Sequence, residues 1–286
     1  FPGARTAACA SWPSCRDARS PAASARAPRR RTAPAHAQDG APRPAGVRAV
    51  ALFVTCLVDQ LFPQIGEAAV RVLERAGCAV TFPAAQTCCG QATFNDGFWD
   101  DARTLAARVL DVFADAPAIV VPSASCTVMV REWYPRLFRD DPTRAARAAA
   151  VASRTYELSE FLVRVLGRTD LGARFDAAVA YHPACHGLRG LGLREEPLRL
   201  LRAVRGLRLV DLPGADECCG FGGVFAVTFA PVSGAMLASK LDAVEASGAD
   251  VVTATDASCL MHLAGGLARR GSRLRTVHLA EILAAG

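Results

Sequence analysis

The sequence predicts an α/β protein made of two homologous halves, each a small domain with a mostly parallel sheet. Three observations carry that expectation. First, the series C…CCG…C occurs twice: Cys56, Cys88-Cys89-Gly90 and Cys126, then Cys185, Cys218-Cys219-Gly220 and Cys259. Second, each outer cysteine follows a short apolar run of the kind that forms a buried strand. Third, both halves close on a matched segment, TYELSEFL (155–162) and TVHLAEIL (276–283). The gaps within the series also agree, with 31 and 36 intervening residues in the first and 32 and 39 in the second. The expected domains span 47–168 and 172–286.

The elements follow in order. Residues 1–46 are rich in Ala, Arg, Pro and Ser without apolar periodicity, and a disordered tail is expected there. Val50–Val54 reads as the first strand, leading into Cys56. Glu67–Ala76 has apolar residues at helical spacing and stops at Gly77, a helix terminator. Cys78–Phe82 reads as a second strand and Ala118–Val121 as a third, ahead of Cys126. The second half repeats the scheme. Ala177–Tyr181 precedes Cys185, Pro197–Val204 is a helix and Leu207–Leu212 a strand. Ala235–Ser247 reads as an amphipathic helix stopped by Gly248, and Asp250–Val252 as a strand ahead of Cys259.

Charge excludes one class of function. The chain carries a formal +6, but residues 1–46 hold eight arginines against two aspartates. The remainder is balanced, with no basic stripe and interleaved aromatics, so nucleic-acid binding is not expected. No apolar run approaches the ~18 residues of a membrane span. Arg29–Arg31 and Ala35-His36-Ala37 lack the intervening apolar stretch of a secretory signal, so a cytoplasmic location is expected.

The eleven cysteines then need a role. An odd number without an export signal argues against a disulfide framework, and clustered thiols in a reducing compartment bind metal or do redox chemistry. In open α/β sheets, sites form outside the carboxyl ends of the strands. Cys56, Cys126, Cys185 and Cys259 each lie just after a strand, and the CC pairs lie in the loops after second strands. Four thiols of a half are thus expected to converge at one edge. The glycine after each pair permits a tight turn. The stretch Gly220-Phe221-Gly222-Gly223 is placed to aim backbone N–H groups at sulfur. It lacks the G-x-G-x-x-G spacing of a dinucleotide loop. Cys78 reads as a small core residue, and Cys9 and Cys15 fall in the tail without a role. Four thiolates suit either a [4Fe–4S] cluster or zinc. The CxxC knuckles common at zinc sites do not occur.

The motifs TCLVDQLFP (55–63), TCCGQ (87–91), PSASCTVMVR (122–131), YHPACHGLRGLG (181–192), ECCGFGGVF (217–225) and ASCLMH (258–262) resemble the cysteine-rich (CCG) domain family over residues 47–286. That family includes a component of heterodisulfide reductase, the glycolate oxidase iron–sulfur subunit and lactate utilization protein A. Two such domains without an attached ferredoxin module are most similar to the last type. The resemblance implies iron–sulfur binding by Cys56, Cys88, Cys89 and Cys126 in one half and by Cys185, Cys218, Cys219 and Cys259 in the other. It further implies an electron-transfer subunit of an L-lactate (2-hydroxy acid) oxidation system. The implied partners are a ferredoxin-type iron–sulfur protein and a third subunit. A redox subunit of an oxidoreductase complex is expected rather than a complete enzyme, because no substrate-binding constellation is visible.

One departure matters. The family's fullest pattern ends in CxxC, and the last position here is Met129 or His262. That argues against a non-cubane double cluster and its disulfide-reducing chemistry. His262 becomes a candidate extra ligand, whereas Met129 reads as packing. His182 and His186 flank Cys185, and imidazole can replace thiolate, although hydrogen bonding to sulfur or backbone is their ordinary role. Lys240, the only lysine, reads as a solvated position on its helix. A structural zinc scaffold and a heterodisulfide-reductase-like thiol redox subunit are the alternative functions.

Overall fold

The structure, a computed structural model, describes residues 49–286; the expected disordered tail lies outside them. The first half forms a four-stranded sheet from β1 (Ala49–Leu52), β2 (Ala79–Thr81), β3 (Ile119–Val121) and β4 (Thr155–Glu157). The second half repeats it with β5 (Arg174–Tyr181), β6 (Arg205–Val210), β7 (Val251–Ala254) and β8 (Arg275–His278). The strand orders are β2-β1-β3-β4 and β6-β5-β7-β8, and every pair is parallel. The duplication is therefore a repeat of topology as well as of motif. The matched segments TYELSEFL and TVHLAEIL supply the fourth strand of each sheet, an element the apolar pattern did not reveal. These edge strands are only three and four residues long, and each passes at once into a helix.

The period-2 alternation of a strand divides the core. Val50, Leu52 and Val120 point into a core that also takes Val179, Tyr181 and Val251 of the second half. Ala51, Phe53, Ile119 and Val121 face a cluster belonging to the first half, and Ala180 and Val252 face one belonging to the second. The two sheets thus share one core between them, and each keeps another behind it. The helix Pro63–Arg75, whose Ala68, Ala69, Val72 and Leu73 are fully buried, packs against the C-terminal helix Leu279–Ala284. Arg75 donates to the carbonyls of Ala284 and Gly286 at 2.9 and 2.6 Å. Both halves lie within one compact unit.

Two expectations need correction. Lys240 is not solvated: it is 0% exposed. The helix carrying it begins at Ala230 and runs to Ala246. Its inner face includes Ser233 and Lys240 while Val232 is exposed, so the polar and apolar faces are not cleanly separated. The lysine occupies a core register position because its amine finds the backbone carbonyls of Gly214 and Ala215. Elsewhere element ends shift by one to four residues, and the helices Trp99–Val112, Pro142–Ala152 and Ala257–Arg269 add to the expected set. Cys78 and Met129 are buried, as expected.

Candidate metal centre

In each sheet the strand order reverses between the first and third strands of the half, β1 and β3 or β5 and β7. Such a reversal opens a crevice at the carboxyl ends of those two strands. Cys56 follows β1 and Cys126 follows β3; Cys185 follows β5 and Cys259 follows β7. The loops after β2 and β6 bring in Cys88-Cys89 and Cys218-Cys219. All eight cysteines line one cavity of about 420 Å³ between the two halves. The sequence placed four thiols at each edge. The structure adds that the two edges face one another.

The thiols touch without being bonded. Cys56 donates to Cys88 at 3.5 Å and Cys89 donates to Cys126 at 3.2 Å, far beyond the ~2.05 Å of a disulfide. All eight are free. Gly90 and Gly220 take left-handed φ values of 80° and 89° and turn their N–H groups onto Cys88 and Cys218 Sγ at 3.3 and 3.4 Å. A Cβ on Gly220 would also stand 2.7 Å from the Ser233 carbonyl. Donors of this kind favour thiolate. Cys88 is pushed down to about 2 by the hydrogen bond from Cys56, then that from Cys89, with Gly90 adding to them against burial. Cys218 is pushed down to about 2 in the same way by Cys185, Cys219 and Gly220. Their neighbours move up. Cys56 is raised chiefly by its bond to Cys88, and Cys185 by its bond to Cys218. Cys89 is raised by Cys126 first and Cys219 by Cys218 first, with burial adding to each. The first thiol of each CC pair is thus the one its neighbours hold toward thiolate.

Other residues at the site had no sequence signal when taken singly. Thr55, just before Cys56, has φ 74° and ψ 154° and is the only non-glycine with positive φ among the described residues. Strain of this kind persists where the surroundings over-determine it, as at ligand sites. Buried Asp256 accepts from Ser123 Oγ at 2.9 Å, from Ser125 Oγ at 2.8 Å and from the Ser125 N–H at 3.2 Å. Asp256 stands three residues before Cys259, and Ser123 three before Cys126. The two matching loops, PSASC and TDASC, therefore clasp each other across the cavity. Comparing those loops in the sequence would have singled out this serine–aspartate difference. Tyr134 fixes the Cys89 carbonyl at 2.8 Å. Gln91 bridges the halves, donating to the Ser125 carbonyl at 3.1 Å with its Nε2 3.2 Å from His186 Nε2.

The three candidate histidines separate. His186 lines the cavity, its Nδ1 3.7 Å from Cys185 Sγ. His262 packs edge-on against Phe221 at 5.8 Å, with Nε2 3.4 Å from Ser233 Oγ, and lines a different pocket. It is not brought to the cysteines' cavity. His182 is buried, and its ligating atom lies within 4.8 Å of the sulfurs of Cys219 and Cys259. Burial first, then the Lys240 charge, lowers its pKa to about 4, which leaves a neutral imidazole, the form that binds metal. Lys240 donates through Nζ to the carbonyls of Gly214 and Ala215 at 2.5 and 3.5 Å and so ties down the loop that leads into Cys218. Burial lowers its pKa.

These features define a class: a duplicated α/β protein whose paired CCG loops build sulfur sites at facing sheet edges. The model of the cysteine-rich domain, CCG, matches residues 50–131 and again 179–264, and the chain belongs to that family. It is similar to lactate utilization protein A of Bacillus subtilis (strain 168), 46% identical over 234 residues that cover 82% of this chain and 98% of the relative. The protein of the same description from Bacillus velezensis is 48% identical over the same shares. That from Exiguobacterium sp. is 48% identical over 239 residues, 83% of this chain and 97% of the relative. Among the described residues no helix is long and apolar enough to cross a membrane.

Proposed function

We propose that this chain is an iron–sulfur electron-transfer subunit of an L-lactate or similar 2-hydroxy-acid oxidation system. In this reading each half holds one centre, probed most simply as a [4Fe–4S] cluster on its four cysteines, and the chain works with partner proteins. One is a ferredoxin-type iron–sulfur protein and another is a third subunit. The observation that carries the reading is the single cavity lined by both four-cysteine sets. Eight thiols converging from six loops and turns far apart in sequence is a costly arrangement for a core, and thiolate sets of four are what such clusters require. The similarity to proteins described as lactate utilization protein A supplies the substrate class.

The donor set fits the group. Glycine N–H groups already point at sulfur in both halves, and such hydrogen bonds tune a bound cluster's potential. When bound, the cluster supplies reversible one-electron storage. The chain's own residues hold the sulfurs, direct N–H donors at Cys88 and Cys218, and clasp the two halves through Asp256 and the serines.

The test is metal and sulfide analysis with optical absorption on anaerobically prepared protein. Iron and acid-labile sulfide with absorption near ~400 nm, as thiolate-ligated iron gives, are expected. Colourless protein with zinc and no iron overturns the reading and favours a zinc scaffold.

A further inference from the structure

We propose that His182 ligates the metal of the second half in place of one of its four thiolates, so that the two centres of this protein differ in ligation. The inference rests on metal occupying the cysteine sets, as proposed above, but not on which metal it is.

The geometry comes first. The donor atoms of His182, Cys219 and Cys259 lie within 4.8 Å of one another, and all three residues are buried. Cys185 and Cys218 are less buried. The deep end of this centre therefore offers one nitrogen and two sulfurs, and the shallow end two more sulfurs. The second observation is independent of that spacing. His182 Nδ1 is buried and has no hydrogen-bond partner. A buried polar atom left unpaired is destabilising, and such atoms in native structures call for an explanation. A metal at the cysteines would supply one.

The third observation is the other half. The His182 N–H bonds to the Thr253 carbonyl at 2.8 Å, and the Phe53 N–H bonds to the Val120 carbonyl at 2.9 Å. These are the same position at the ends of β5 and β1. Phe53 is fully buried and packs its ring on Phe113 at 5.1 Å, so the first half has no nitrogen donor there. Replacing a thiolate by imidazole raises a cluster's potential. The second centre is then the more readily reduced of the two, and electrons entering the chain settle there.

The experiment uses the full chain, purified anaerobically, with metal content measured first, because that measurement alone decides the occupancy reading. For the iron form, pulsed electron paramagnetic resonance of the reduced protein, with and without ¹⁵N-labelled histidine, reads nitrogen bound to the cluster. A strong histidine-nitrogen coupling is expected in the wild type and in His186→Leu. It is expected to vanish in His182→Phe, which copies the first half, while one of two midpoint potentials moves down and the other stays. If the metal is zinc, X-ray absorption at the zinc edge asks the same question, with a nitrogen donor expected in the wild type and sulfur alone in His182→Phe. Absence of nitrogen ligation in the wild type overturns the inference whether or not the variant accumulates. Unchanged nitrogen coupling in His182→Phe overturns it too.

Discussion

Behind the first four cysteines stand Phe53, Val109 and Phe113; behind the second four stand His182, Lys240 and Val244. The correspondence is structural. The side of Gly90 faces Ala102 and Leu105, and that of Gly220 faces Ser233 and Met236. Seven residues on from Ala102 and Ser233 lie Val109 and Lys240, both buried. The same skeleton therefore has an apolar back wall in one half and a polar, cationic one in the other. Duplication kept what the sulfurs need: the strand ends, the left-handed glycines and the N–H donors. The surroundings that decide a centre's properties were free to diverge. A charge taken out of water is tolerated only where hydrogen bonds replace the lost hydration. In the second half the carbonyls of Gly214 and Ala215 do so for Lys240. In the first half the corresponding loop is tied differently, with Gln86 accepting from the Val54 N–H at 2.8 Å and donating to the Leu52 carbonyl at 3.1 Å.

The largest test of this comparison removes a ligand from each half in turn. Cys219→Ser is expected to empty the second centre and leave the first largely occupied, and Cys89→Ser to do the reverse. Bound metal per chain should fall by about half in each variant, since each set supplies its own four thiolates. Equal loss from both sets in either variant would mean that the facing sets hold one shared group.

Exchanging the back walls comes next. Val109→Lys puts an ammonium where no loop carbonyl awaits it, and destabilisation by about 3–5 kcal/mol is expected. Lys240→Met removes a charge along with its two carbonyl bonds. A loss of about 1–3 kcal/mol is expected, as for buried acceptors left unpaired. Denaturant titration of both variants checks the order. A Lys240→Met protein as unstable as Val109→Lys would show that the amine does more than tie the loop.

The smallest effects concern the two residues that start the matched terminal helices. Glu157 accepts from the N–H groups of Ser159 and Glu160, and His278 Nδ1 accepts from that of Ala280. Burial raises Glu157 from 4.5 to about 8. The folded protein then binds that proton more tightly than the unfolded chain, so its contribution is full below pH 4.5 and is lost as pH rises to about 8. Burial lowers His278 from 6.5 to about 4. Its contribution is full above pH 6.5 and is lost as pH falls to about 4. Glu157→Gln should flatten the first slope and His278→Asn the second, each read as denaturation midpoint against pH. A single slope surviving both substitutions would place the titration elsewhere.

The pattern of the sequence made much of this legible. Cys56, Cys88, Cys89 and Cys126 could be matched to their second-half partners because ligand spacing follows chain topology, and both survive duplication. The strands were legible wherever both faces are buried, as at Ile119–Val121 and Val251–Ala254. Strands β4 and β8 were not, because each is short and runs directly into a helix. Lys240 misled because a lysine on a helix is ordinarily solvated. Only the distant loop at Gly214 reveals why it is not. His262 drew attention through its place in a motif, whereas His182 stands beside the sulfurs of Cys219 and Cys259.

The cysteine series, its duplication and the α/β class are properties of the sequence alone, since periodicity and spacing are local and repeat with the chain. The tertiary structure decided what stands opposite what. It turned two four-thiol edges toward one cavity, set Asp256 against Ser123 and Ser125, and placed an imidazole behind one sulfur set and a phenyl ring behind the other. The facing edges and the clasp of Asp256 and Ser123 join residues more than a hundred positions apart, and come into being only when the two sheets pack on their common core.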